Sequence, residues 1–445
     1  MPSVTLIILN WNARRLLARC LPSLLAQTYD DYRVVLVDNA STDDSLAFVR
    51  REFPQVQIIE NERNRGFSAG NNAALRRLQS DVAVLVNPDL IASAEWLREL
   101  VAGLTGEERI GIAGGKLFYP GGRRLQHAGG LIRFPLAMPD YLGRDEPDEG
   151  QYDQLRDVEY VVGAGLAVRR EVLQRIGLLD EGFFLYFEDA DLCFRARRAG
   201  YRVVYAPRAE AVHEESALTG KESPAYLAWF HSSRWRFLLK HARQETLLQE
   251  TFDAEKEWLL DAVTGSPQRA APLAQAYGQT LRTLWQALQA REAHGAPGMD
   301  EAAVSQIAAA LTALREAAWN AAAAPHHEQL RRRRTLRPFT FRSRVPLLGP
   351  LLAALRRAWS RVAARPVLDA WTAQQSAFNE AVVQELEARA PRLAAHDERY
   401  AQAARELSAQ RRDLAALLNR LQAIDRRLAR LEAGEADSRD PSVPS

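Results

Sequence analysis

The chain has 445 residues, enough for two or three domains with substantial cores, and its 58 basic and 56 acidic side chains nearly cancel to a net charge of +2. That balance gives no general affinity for polyanions, so a nucleic-acid partner is not expected. Two cysteines, Cys20 and Cys193, provide neither a disulfide framework nor zinc-ligand spacing, and a reduced cytosolic setting fits them best.

The N-terminal VTLIIL (4–9) has no positive flank and stops at Asn10, so it reads as a strand and not as a signal peptide. No stretch approaches about 20 uninterrupted apolar residues, the length needed to span a bilayer. Strand-like runs follow at VVLVD (34–38), VQIIE (56–60) and VAVLVN (82–87). Helical segments are expected between them, over 14–27, 41–53, 69–78 and 94–104. Ser41, Asp43 and Asp44 suit a helix N-terminus. Continuous apolar strands alternating with helices predict a parallel sheet covered on both faces, with ligands outside the carboxyl ends of the strands.

Those ends are polar. Asn10 and Asn12 close the first strand, Asp38 and Asn39 the second, and Asn87-Pro88-Asp89 the fourth. Each alone reads equally well as an Asx turn or a cap. Together they suggest a nucleotide pocket, in which Asp38 could accept from a pyrimidine imide and Asp89 could ligate a divalent cation. The loop NERNRGFSAGNN (61–72) offers Arg63 and Arg65 as phosphate forks, with Gly66 and Gly70 permitting close backbone approach. The apolar run VVGAGLAVRR (161–170) is either a floor beneath a sugar or a tightly turning buried strand.

FFLYFEDADLCFRARRAG (183–200) places Phe183, Phe184, Tyr186 and Phe187 directly before Glu188, Asp189 and Asp191. Carboxylates beside apolar walls lose hydration, so either arginines or a task in proton transfer must offset the cost. Asp191 and Arg195 have the i,i+4 spacing of an ion pair. Glu188 and Asp189 have no such local partner. His213 ends a further strand-like run that begins at Arg202; a structural role and a metal-ligand role are both open to it.

Beyond about residue 245 the composition turns to Ala, Leu, Glu, Gln and Arg, as in long helices. Pro325 and the RRRR run at 331–334 mark an expected break. The stretch 345–371 sets Trp and Leu on one face and arginines elsewhere, which suits either an interfacial membrane helix or a helix packed on the catalytic domain. Leu407, Leu414, Leu421 and Leu428 repeat every seven residues, with Leu417, Ile424 and Leu431 on a second heptad position. A coiled coil is predicted there, and with it a homo-oligomer.

VTLIILNWN, VVLVDNASTDDS, NRGFSAGNN, LVNPDL and above all GLLDEGFFLYFEDADLCFRARRAGYRVVYAP followed by His213 resemble the family 2 inverting glycosyltransferases, and within them the rhamnosyltransferase-like bacterial branch. The resemblance covers about residues 3–240. It implies a GT-A nucleotide-binding, Rossmann-like mixed α/β sheet flanked by helices over 1–240. A helical region (241–330), a basic amphipathic segment (331–375), a long helix or coiled coil (376–433) and a disordered tail (434–445) are expected after it. It further implies that Asp189 is the general base, with Glu188 beside it and raising its pKa. Asn10, Asn12, Asp38, Asn39, Arg65, Gly66 and Asn87 would hold the nucleotide. Asp89 and His213 would hold Mg²⁺ or Mn²⁺, although Asn87 stands where a full Asp-x-Asp metal motif has its first aspartate. Gly163, Ala164, Gly165, Phe187 and Asp191 would face the acceptor. The implied reaction transfers a sugar, rhamnose being one candidate, from a nucleotide-diphosphate sugar to a glycan or lipid-linked acceptor of cell-surface polysaccharide assembly. A cytoplasmic enzyme, peripheral at the inner face of the plasma membrane, would meet such acceptors. A non-catalytic nucleotide-sugar-binding module with a recruiting helical tail is the alternative from another class. A nucleotidyltransferase is a third reading, disfavoured because WNARRLLARC lacks the glycine-rich loop after the first strand.

Overall fold

The computed structural model describes residues 1–121, 124–214 and 222–333. Its first half alternates as the apolar periodicity requires: β1 (Val4–Asn10), α1 (Arg14–Leu25), β2 (Tyr32–Asp38), α2 (Ser45–Glu52), β3 (Gln57–Glu60), α3 (Gly66–Leu75), β4 (Val82–Val86), β5 (Leu90–Ala92) and α4 (Trp96–Thr105). Next come β6 (Ile110–Phe118), β7 (Leu125–His127), β8 (Gly130–Arg133), β9 (Met138–Tyr141), β10 (Arg156–Asp157), β11 (Gly165–Arg169), α5 (Arg170–Ile176), α6 (Glu188–Arg198) and β12 (Arg202–His213). The helical part contains α7 (Pro224–His241), a short turn α8 (Gln244–Thr246), a π-helical turn over Leu247–Thr251, then α9 (Phe252–Gly265), α10 (Ala270–Ala293) and α11 (Glu301–Arg333).

Strands β1 to β4 pair in parallel, as their unbroken apolar runs predict. The sheet as a whole is mixed, because β11 inserts antiparallel between β4 and β6. Successive residues of β1 serve opposite faces: Ile7 joins one buried cluster, Leu6 and Ile8 the other. The expected edge at residue 240 does not separate two cores. Leu238, Phe252, Leu273 and Tyr277 belong to the same cluster as Ile7 and Leu85, and residues 1–322 form one compact unit.

Two expected boundaries shift. Helix α3 starts at Gly66 instead of residue 69, and α11 runs past Pro325 to end within the arginine run. The stretch 345–371, the coiled coil and the tail lie outside the described residues. Among the described residues no helix is long and apolar enough to cross a membrane.

The long strand β12 decides the geometry of the site. It follows β6 in parallel with a register shift between Ala206 and Glu210, then continues antiparallel along β5, setting His213 opposite Leu90. Gly115 makes the shift possible, since a Cβ there would lie 2.1 Å from the Ala209 carbonyl oxygen.

Candidate active site

A cleft of about 290 Å³ opens at the carboxyl ends of β1, β2 and β4. Asp89, Asp189 and His213 all line it, together with Asn39, Gly66, Asn87, Gly163, Ala164, Phe187 and Glu188. Asn10, Asn12, Asp38, Arg65, Gly165 and Asp191 do not line it, and their contacts show why.

The Asp38 carboxylate is taken up by its own turn: it accepts from the Asn10 amide (2.7 Å), the Ser41 hydroxyl (2.6 Å) and the Ser41 N–H (2.9 Å). Asn12 Oδ1 accepts the Thr42 N–H at 2.7 Å, stitching the same turn. Here the Asx-turn reading describes the side chains as they stand. Arg65 reaches Glu181 at 3.5 Å. A Cβ at Gly165 would meet Leu90 and Trp96, each at 3.2 Å, on its core side. Asn39 faces the cleft while holding the 61–66 loop, donating to Asn64 Oδ1 (3.1 Å) and to the Gly66 carbonyl (3.0 Å). Gly66 has φ +75°, and a Cβ there would meet the Phe184 carbonyl oxygen at 2.4 Å. Its smallness serves the close passage of two cleft loops.

Asp89 follows β4, and His213 ends β12. Asp89 Oδ1 and His213 Nε2 lie 3.2 Å apart, both buried and both without a hydrogen-bond partner. Gln126, which the sequence did not single out, orients the ring. Its amide nitrogen donates to the His213 carbonyl (3.1 Å), so its Oε1 faces His213 Nδ1 at 2.7 Å. Nδ1 must therefore carry the hydrogen, which leaves a lone pair on Nε2 beside the Asp89 oxygen. Two orphaned buried donors of this kind fit a divalent cation with its remaining positions taken by oxygens of a substrate or water. Among the described residues no cluster of three or more His, Cys, Asp or Glu completes a protein-only cage.

Asp189 lies in the first turn of α6, where backbone N–H groups favour an anion. Its Oδ2 accepts the Gly163 N–H at 2.8 Å. Burial raises its pKa, opposed by the Gly163 and Ala190 N–H groups. Glu188 is raised further, well above the usual carboxyl range, by burial and then by the Asp189 charge, and its Oε2 has no partner. The charge effect runs from Asp189 onto Glu188, whereas burial is the cause that raises Asp189. Asp191 belongs elsewhere. Its carboxylate meets Arg195 Nε (2.8 Å), Lys240 Nζ (2.5 Å) and His241 Nε2 (2.8 Å), all buried. Burial alone would raise it, but Lys240 and Arg195 hold it well below the normal range. The acceptor role expected for Asp191 finds no support in that position, because its oxygens point into an ion cluster.

The walls are aromatic. Phe184, Tyr186 and Phe187 of the quoted loop line the cleft, whereas Phe183 is fully buried in the core. Sequence reasoning missed Trp11, Phe67, Tyr141 and Tyr160, and the α7 residues Tyr226, Trp229 and Phe230. The signal was present in α7, where Tyr226, Trp229, Phe230 and Ser233 recur at helical spacing on one face.

In an open α/β sheet whose strand ends and helix N-terminus converge on one cleft, that cleft is the expected ligand site. The chain belongs to the family described as "Glycosyltransferase like family 2", whose model matches residues 2–236. It is 33% identical over 232 residues to the uncharacterized protein y4gI of Sinorhizobium fredii, covering 50% of this chain and 25% of that one. It is 28% identical over 249 residues to the N-acetylglucosaminyl-diphospho-decaprenol L-rhamnosyltransferase of Mycobacterium tuberculosis, covering 50% of this chain and 79% of that one. Among solved structures, GalNAc-T7 with UDP, GalNAc and Mn²⁺ aligns with a TM-score of 0.42 at 15% identity over 59% of this chain and 55% of that one.

Proposed function

We propose that this glycosyltransferase moves a sugar, with inversion, from a nucleoside-diphosphate donor to a hydroxyl of a glycan or lipid-linked acceptor in polysaccharide assembly. The observation that carries the reading is that Asp189 shares one cleft with the Asp89–His213 pair. In a single displacement the acceptor oxygen attacks the anomeric carbon, Asp189 takes the hydroxyl proton, and the bond to the diphosphate breaks. Gly163 N–H and the α6 terminus hold the Asp189 carboxylate in place, and the aromatic walls exclude water. Asp89 and His213 would hold Mg²⁺ or Mn²⁺, which supplies charge neutralisation of the departing diphosphate. Asn39, Gly66 and Asn87 are the cleft-lining members of the nucleotide set, and Gly163, Ala164 and Phe187 those of the acceptor set. Asn10, Asn12 and Asp38 support them from the adjoining turn. Rhamnose is the proposed sugar, supported by the name of the mycobacterial relative, whose acceptor name also favours a lipid diphosphate carrying N-acetylglucosamine. Attachment to a membrane surface by 331–375 and self-association through 376–433 remain part of this reading on sequence grounds.

Asp189→Asn tests it. Turnover is expected to fall about 10²- to 10⁴-fold while the binding of donor nucleotide is kept. Transfer at the wild-type rate would refute the assignment of the base.

A further inference from the structure

The family match ends at residue 236, and the helical segment after it has so far only a packing role. Its contacts say more. The β8–β9 hairpin stands apart from the main sheet and gives Ile132, Pro139 and Tyr141 to the cleft wall. The turn at its far end offers two carbonyl oxygens, and both are gripped by helices. Thr251 Oγ1 donates to the Pro135 carbonyl at 3.0 Å, and Arg234 Nη1 donates to the Leu136 carbonyl at 2.7 Å.

Neither grip is casual. Thr251 is fully buried and closes the π-helical turn Leu247–Thr251, where its hydroxyl also lies 3.2 Å from the Thr246 carbonyl. Single π-turns interrupt a helix at a cost and re-aim the side chain that follows. Arg234, on α7, is fully buried as well. Its guanidinium is locked by Glu255 Oε1 of α9, and the same oxygen accepts from Tyr277 Oη of α10 at 2.7 Å. A buried charge pair of this kind is weak support for stability, since burial costs about as much as the attraction returns. It does specify geometry.

We propose that the helical segment beyond the family match, acting through Thr251 and through Glu255 on Arg234, is a positioning device for the β8–β9 wall that sets how tightly the acceptor is held. The wall is on the acceptor side because Tyr141 packs against Tyr160 (6.2 Å between rings), and both line the cleft together with Gly163 and Asp189. The inference relies on the proposed reaction for what the wall contacts, and on geometry alone for what holds the wall.

The test uses the full chain with Thr251→Val, which removes one hydroxyl, and Glu255→Gln, which keeps shape and an acceptor oxygen. Hydrogen–deuterium exchange should quicken across 130–141 in both variants and stay unchanged in β1 and α1. With a nucleotide-rhamnose donor and an N-acetylglucosaminyl diphospho-lipid, acceptor KM should rise about two- to tenfold, the worth of one hydrogen bond, with donor KM and kcat kept. Unchanged exchange at 130–141, or equal loosening throughout, overturns the positioning role. So does a loss confined to kcat. The exchange result is independent of catalysis, so failure of Asp189→Asn to lose activity would refute the reaction and leave this inference to be decided separately.

Discussion

Lys240 offers the sharpest test of how α6 is held. The ammonium is fully buried and bridges two carboxylates, Asp180 at 2.6 Å and Asp191 at 2.5 Å, one before α6 and one within it. Arg236 also binds Asp180, and Arg195 also binds Asp191. In Lys240→Met the side chain keeps its approximate volume and loses its charge, which leaves two buried carboxylates with one cation each. Removing one partner of a buried ion pair costs about 3–5 kcal/mol, and the two remaining arginines should bring the loss to the lower end of that range. The pH dependence separates charge from packing. Burial raises both carboxyls, but the cations win and depress Asp180 and Asp191 in the folded state. Depressed carboxyls contribute stability that is present above their unfolded pKa, about 3.9, and lost as pH falls through the folded value. In the variant the folded values move upward, so the difference between the two proteins is full at pH 7 and shrinks as pH falls through the variant's folded pKa. Urea unfolding at pH 7 and at pH 4 measures it. A deficit of equal size at both values would refute the electrostatic account and assign the effect to packing.

Two further outcomes bear on the cleft. Gln126→Leu removes the acceptor that keeps the proton on His213 Nδ1, and Mn²⁺ affinity in the presence of a nucleoside diphosphate should weaken about 10- to 100-fold by calorimetry. An unchanged affinity would show that the ring needs no such orienter. The acid limb of kcat/KM reports the base, so activity should fall as pH drops through a pKa above the ordinary aspartate range, where burial places Asp189. Because burial, and not the Glu188 charge, raises Asp189, Glu188→Gln should leave that limb nearly in place, and a downward shift of a full unit would show that Glu188 lifts the base.

What the sequence determined by itself is local. Unbroken runs such as VTLIIL and VAVLV can be stable only with both faces covered, so the layered α/β core was legible from periodicity. The polar strand ends and the carboxylates opening α6 were legible for the same reason, since cap and strand-end chemistry acts over a few residues. Tertiary structure decided which of those polar groups face a ligand. Asp38 and Asp89 look alike in sequence, yet Ser41 and Asn10 satisfy the first, while the pairing of β12 with β5 places His213 beside the second. Asp189 and Asp191 are two residues apart on one helix, so they point in different directions: one accepts from Gly163 at the cleft, the other meets Lys240 and His241 of α7. The spacing of Tyr226, Trp229 and Phe230 marks one face of α7, but an apolar side chain carries no mark of whether its face covers a core or a cavity, and the hairpin residues show no spacing signal at all. Long-range packing alone makes that choice.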